Sequence, residues 1–410
     1  MAAHAIPVAP PLVEPTFDDP LPVAALVAEP IPEAAFELPP EPERDASPLF
    51  RVVSFAGAGA EWCFGVVVLL LGLAVLAAVP LGQFLVLGYL LEASGRVARS
   101  GRIRDGFIGV RRAALFGGAA FAGGVMWLPL YLMSLQAEAA RIIDPHGAIA
   151  RRWEIVLGAF AVVFVLHAAG ALFWGGRVRH FLNPINVPWL AYRLFQGGMY
   201  REARDRVWEL AVGLRLPYYF WLGLQGFVGA FLWLACPLFL LGFGHKFWGV
   251  GLLGAALLSV VVLYVPFLQA RFARTRRFAA LFEVRKVRAV YRRAPLAFAV
   301  ALWGHLLFAM PLYVLKIELV PRELFFVEGL FFLLFIFPAR LLSGWAYARG
   351  ARRRGPRFWL SRWAGRFAAV PVVLAYVFAV WVSQHIGWAG VSSLYEQHAF
   401  LLPVPFVTWR

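Results

Sequence analysis

Long apolar runs alternate with arginine-rich connections along this chain. No Asp, Glu, Lys or Arg occurs in 62–91, 113–137, 155–176, 216–245, 247–270, 294–315 or 367–395. Each run is at least about 20 residues, enough for one helix to cross a hydrocarbon layer of roughly 30 Å. An eighth run, 323–344, starts at Glu323 and is interrupted inside by Glu328 and Arg340. The runs are continuously apolar, without the short alternating segments of a membrane barrel. Helices are the expected form, because unpaired backbone groups in lipid cost several kcal/mol each.

The pattern predicts an all-α, polytopic transmembrane helix bundle of about eight spans. These lie near 62–80, 113–136, 155–175, 216–237, 247–268, 294–315, 323–344 and 367–389, within a helical domain over 56–395. Pro80 is expected to end the first helix at the cytoplasmic boundary, with 81–91 lying along it. A short tail, 396–410, follows. Composition agrees: 61% hydrophobic and 15% charged residues in 410 leave too few charges for a soluble surface.

Charge gives the orientation. The stretches 96–112, 177–215, 271–293 and 349–366 hold 29 of the 39 Lys and Arg, but only 5 of the 23 acids. Short basic loops beside spans stay in the cytoplasm. With eight spans, all four stretches fall on one face and both termini on the other; the alternative is an odd number of spans with the N-terminus inside. Residues 1–55 differ: the first 50 carry 12 of the 28 prolines, nine acids and one arginine. Such a segment buries too little apolar area to offset its ordering entropy, and a disordered acidic tail is expected. It lacks the basic start and apolar core of a signal peptide.

The connections are themselves amphipathic. In 199–214, Tyr200, Ala203, Val207, Trp208, Ala211 and Leu214 recur at three- and four-residue steps. Arg201, Glu202, Arg204, Asp205 and Glu209 fill the other face. In 278–293, Phe278, Leu281, Phe282, Val287 and Val290 oppose Lys286, Arg292 and Arg293; in 357–367, Trp359, Trp363 and Phe367 oppose Arg362 and Arg366. This pattern suits helices lying in the interface, aromatics in the acyl boundary and arginines at phosphates. The candidate head-group ligands are Arg201, Arg204, Arg276, Arg277, Arg292, Arg293, Arg362 and Arg366, and the expected partner is an anionic bilayer. Nucleic acid is not the expected partner, since adjacency to spans already accounts for the arginines.

The connections also repeat. After Pro80, Pro184, Pro266 and Pro338 an aromatic follows within six to nine residues (Tyr89, Tyr192, Phe272, Tyr347), then a basic cluster, then the next span. Loose spacing suggests four diverged helical hairpins. Two stretches carry a family resemblance. Pro80–Ala113, with Gly82-Gln83, Gly88-Tyr89-Leu90 and Gly101-Arg102-Ile103-Arg104-Asp105-Gly106-Phe107, resembles the polytopic family called domain of unknown function 4013. So does Pro266–Leu302, with Arg271-Phe272-Ala273-Arg274-Thr275-Arg276-Arg277-Phe278 leading to Arg292-Arg293-Ala294-Pro295. The resemblance covers about half of the membrane body. It implies a bacterial or archaeal membrane protein built from a span, a Gly/Pro-marked turn and an amphipathic helix. It implies no catalytic residue.

Polar groups inside spans are the default places to look for chemistry. They are His167, His305, Glu328 and Arg340, with Gln136, Gln225, Gln384 and His385. The histidines are expected to be neutral and bonded to backbone, with Glu328 and Arg340 reaching opposite surfaces. A shared cavity would instead suit a small-solute transporter, and Glu328 with Arg340 are the one hint of a lipid-modifying enzyme. Phosphate-binding loops, zinc-protease pairs and nucleophile elbows are absent from the sequence. Asp144-Pro145-His146-Gly147 is a turn sequence before it is a metal site. Glu92 and Arg96, four apart, form an ion pair. Cys63 and Cys236 are isolated packing residues, and no metal, cofactor or enzymatic activity is expected. Gly117-Gly118, Gly123-Gly124, Gly251 and Gly254 permit close helix packing or self-association.

Overall fold

The computed structural model describes residues 48–314, 325–386, 390–395, 397 and 399–401. Among these residues it is all helical. Residues 1–47 of the expected disordered tail and the side chain of Glu328 lie outside the described residues, whereas 48–55, expected to be disordered, are helical and open α1. The described residues of the N-terminal unit, Pro48–Gly57, are helical; the second unit, Ala58–Arg410, holds the bundle.

The long helices are α1 (Pro48–Ala77), α2 (Gly82–Ser100), α3 (Val110–Ile143), α4 (Ala148–Phe173), α8 (Leu216–Gly242), α9 (Trp248–Thr275), α11 (Pro295–Leu307), α13 (Phe325–Arg352) and α14 (Trp359–Ile386). Shorter helices α5 (Val178–Phe181), α6 (Asn186–Gln196), α7 (Met199–Gly213), α10 (Val284–Tyr291) and α12 (Met310–Val314) sit between them. Eight helical segments are long and apolar enough to cross a membrane, and they overlap all eight runs read from the sequence. The chain is therefore a multi-pass helical membrane protein.

Helix α2 departs from expectation. It was expected to begin along the cytoplasmic boundary. Instead it is the centre of the bundle, with 14 of its 19 residues buried. Along α13, Gly329 meets Ala74 of α1, Phe337 stacks on Tyr89, Gly344 meets Ser94, and Arg352 reaches Ser100. Gly329 and Arg352 are about 34 Å apart along a helix rising 1.5 Å per residue. The α1–α2 turn at Pro80 thus sits at the end of the bundle opposite the basic connections, and α2 returns to the basic end. The crossing of α2 with α8 is very close. A Cβ on Gly88 would lie 1.8 Å from the Tyr219 carbonyl, and one on Gly223 1.9 Å from that of Phe84. Small residues at both positions allow the backbones to touch.

Helices α2, α9 and α13 run parallel toward the basic end. Gln269 lies beside Arg340 and Arg271 beside Tyr347 on α13, and Gly95 lies against Ala273. The aromatics of three repeats, Tyr89, Phe272 and Tyr347, are buried on these three helices. Tyr192, on α6, is 62% exposed and stands outside the pattern. The connectors after α2 and α9 share one backbone course. Each helix ends in a left-handed residue, Gly101 (φ 70°) or Arg276 (φ 55°). An extended arginine follows, Arg102 or Arg277, and then a 3-10 turn, Ile103–Gly106 or Phe278–Phe282.

The connection 278–293 is therefore not one interfacial helix. Its Leu281, Val287 and Val290 pack into the bundle rather than facing lipid. Helix α7 differs: none of its residues is buried, and Tyr200, Val207 and Trp208 stand well exposed on it. The stretch 357–367 opens α14, with Trp359, Trp363 and Phe367 exposed. Gly251 and Gly254 serve packing between α8 and α9, against Gly244 and Leu241. Gly123 and Gly124 on α3 have open space where a Cβ would project.

Candidate functional site

Polar side chains gather in two places. The first is the basic end, organised by two carboxylates. Glu92 on α2, its side chain 3% exposed, accepts from Arg99 Nη2 at 2.7 Å, Arg96 Nε at 3.3 Å and Arg276 Nη2 at 3.4 Å. Its other oxygen accepts from the Tyr218 hydroxyl at 2.7 Å. Arg276 also covers the Tyr218 ring at 5.3 Å. The Glu92–Arg96 pair read from the sequence is thus one edge of a cluster joining α2, α8 and the end of α9.

Glu283, in the second 3-10 connector, pairs with Arg271 and with Lys286 at 2.5 Å. Hydrogen bonds from Lys286 and then Arg271 hold its carboxyl below the ordinary carboxylate range. Arg271 also donates to the Tyr347 hydroxyl at 2.8 Å, and Arg274 covers the Tyr347 ring. Two acids thereby fix five basic side chains over the ends of α2, α9 and α10.

The remaining candidate arginines are more open. Arg201, Arg277, Arg292 and Arg366 are exposed, and Arg293 and Arg362 half-buried. Arg366 lies 5.0 Å over the Trp363 ring, and Arg204 pairs with Asp205 at 2.8 Å. Arg206 anchors α7 to the end of α4, donating to the Phe173 carbonyl at 2.6 Å.

The second gathering lies inside the bundle. Arg340 was expected near the end of its span, reaching the surface. It is instead 1% exposed, twelve residues and about 18 Å short of Arg352. Its Nη1 donates to Gln269 Oε1, while its Nε is buried without a hydrogen-bond partner. No acid among the described residues pairs with it. Gln269 Nε2 donates to the Phe400 carbonyl at 2.9 Å. His305 Nε2 lies 2.9 Å from the Ala399 carbonyl, which makes Nε2 the donor and leaves Nδ1 to face Ser343 Oγ at 3.1 Å. The His305 ring stacks on Phe400.

The chain beyond α14 supplies the acceptors. It runs back along that helix, Ser393 beside Ser383 at 3.5 Å and Gln397 accepting from the Tyr376 hydroxyl at 2.6 Å. Ala399 and Phe400 are wholly buried. The short tail 396–410 begins in this segment. Its described residues to Leu401 enter the bundle because Gln397 and Phe400 find partners on α9, α11 and α14.

Of the four intramembrane candidates, His305 and Arg340 come together. His167 belongs elsewhere: its Nε2 lies 2.8 Å from the Phe181 carbonyl and 3.2 Å from Asn186 Nδ2. Both histidines bond to backbone, as expected. Gln269, Ser343 and Gln397 were missed. Gln269 was detectable as an amide in an otherwise apolar run. Ser343 was not, because serine is common in spans. Among the described residues no group of three or more His, Cys, Asp or Glu could hold a metal; Asp144–Gly147 forms a turn, with the Gly147 amide on the Asp144 carbonyl at 3.1 Å. Compared with protein-family models, curated proteins and solved structures, the chain matches none of them.

Proposed function

We propose that this integral membrane protein is non-enzymatic, and that its basic end works at an anionic lipid surface, organising the membrane around a rigid bundle. One observation carries the reading: Glu92 and Glu283 hold a set of arginines fixed at one end, and exposed aromatic-and-arginine segments flank them. Fixed cations lose little entropy on meeting phosphates, and Tyr200, Trp208, Trp359 and Trp363 suit the head-group boundary. On this reading the basic end faces the cytoplasm in a bacterial inner membrane. On the same reading α1 enters the membrane from the cytoplasmic side, because it leads away from the basic end. This is the odd-span arrangement, with α2 as the added crossing. The shared connector supports taking the two stretches that resemble domain of unknown function 4013 as copies of one unit.

The test is amide exchange of α7 in nanodiscs with and without phosphatidylglycerol. Protection of 199–213 should rise with anionic lipid and fall with salt. Equal protection in both membranes would defeat the reading. The transporter alternative expected a polar cavity among the helices. Gln269, His305, Arg340 and Ser343 are instead closed to solvent, with the C-terminal segment seated against Gln269 and His305.

A further inference from the structure

A guanidinium at mid-depth of a membrane helix, without an acid, is costly. Even after relaxation, a buried charge costs several kcal/mol unless it is compensated. Arg340 spends one N–H on the neutral Gln269 and has a buried Nε with nothing to donate to. Around it stand further donors: the Gln269 amide and His305 Nε2, with the Ser343 hydroxyl beside the imidazole. Two of these donors are occupied by backbone carbonyls of the re-entrant segment, those of Phe400 and Ala399. Neutral carbonyl oxygens there stand where an anion's oxygens would satisfy the same donors and also balance the charge.

We propose that Arg340, Gln269 and His305 form a binding site for a small monocarboxylate, and that the described residues Gln397 and Ala399–Leu401 plug it. The class follows from the chemistry. Among the described residues no acid balances Arg340, and one positive charge calls for one negative charge. The planar guanidinium fork, with Nε free, matches the two oxygens of a carboxylate. Phe400, stacked on His305 and edge-on to Tyr376, walls the buried site and favours a small, singly charged ligand. Gln397 on Tyr376 and two backbone carbonyls on Gln269 and His305 hold these residues at the site. A carboxylate can replace the last two directly. The site lies inside the bundle, so the proposal stands apart from the lipid-surface reading.

The test uses the full chain in detergent with radiolabelled acetate as the probe. Gln397→Ala and, separately, Phe400→Ala loosen the plug. Acetate should bind at least tenfold more tightly to these variants than to the parent chain, and Arg340→Gln in either background should abolish the gain. Tyr376→Phe removes only the hydroxyl that holds Gln397 and should act in the same direction, which keeps the test decisive if the larger changes unfold the chain. Absence of a gain in the folded variants overturns the proposal, as does a gain that survives Arg340→Gln. Chloride competing with acetate at equal concentration would show a halide site and overturn the carboxylate assignment.

Discussion

Glu92→Gln should loosen the basic end of the bundle by an amount the geometry sets. The carboxylate is nearly dry, with three arginines on one oxygen and the Tyr218 hydroxyl on the other. Breaking a fully buried pair costs about 3–5 kcal/mol. Here the three arginines are 33%, 35% and 49% exposed, so water recovers part of their hydration. Glutamine also keeps one acceptor oxygen. The expected loss is about 2 kcal/mol for Glu92→Gln, and about 1–2 kcal/mol for Tyr218→Phe, which removes one charge-assisted hydrogen bond. The two should be less than additive, because both delete the same contact. Reversible unfolding in mixed SDS micelles measures all three values. Asp105→Asn, in an exposed pair at 3.8 Å, is the control and should change stability by less than about 0.5 kcal/mol. A Glu92→Gln loss as small as the control's would refute the reasoning, since the cluster would then not tie α2 to α8 and α9.

Gly223→Ala should cost about 1–3 kcal/mol by forcing α8 off α2, whereas Gly72→Ala, with open space at its Cβ, should be near neutral in the same unfolding assay. The lowered carboxyl of Glu283 contributes stability that is present above the unfolded value near 4.5 and lost as pH falls below it through the folded value; Glu283→Gln should flatten that acid limb of the unfolding profile. A reporter active only in the cytoplasm, fused before Met1, should give signal; signal only from a periplasm-active reporter would reverse the orientation.

Much of the fold is written in the runs of uncharged residues, because burying a charge in lipid is expensive enough to leave a plain mark. Helix α2 escaped for the same reason. Glu92, Arg96 and Arg99 make it look like a loop, yet Glu92 pairs with both arginines on the helix itself, and Tyr218 of α8 and the Ala273 carbonyl of α9, more than a hundred residues distant, complete their hydrogen bonds. The connectors were legible as basic and aromatic, but not as to which face they bury. Val287 and Val290 look the same in an interfacial helix as in one packed on α9. At the inner site, Arg340 and His305 stood out as polar residues in apolar runs. Their assembly did not, because it depends on Gln269 and on a chain reversal after α14. The surface arginines were easier, since a solvated cation beside a span needs no tertiary partner to be recognised.

The measurement that bears most directly on the proposed role is lipid selectivity at the protein boundary. Spin-labelled phosphatidylglycerol and phosphatidylcholine can be compared for immobilisation by the full chain in mixed vesicles. The account expects phosphatidylglycerol to be preferred several-fold, the preference to shrink as salt screens the arginines, and Arg201→Gln with Arg366→Gln to reduce it. Equal immobilisation of the two lipids, unchanged by salt, would contradict it.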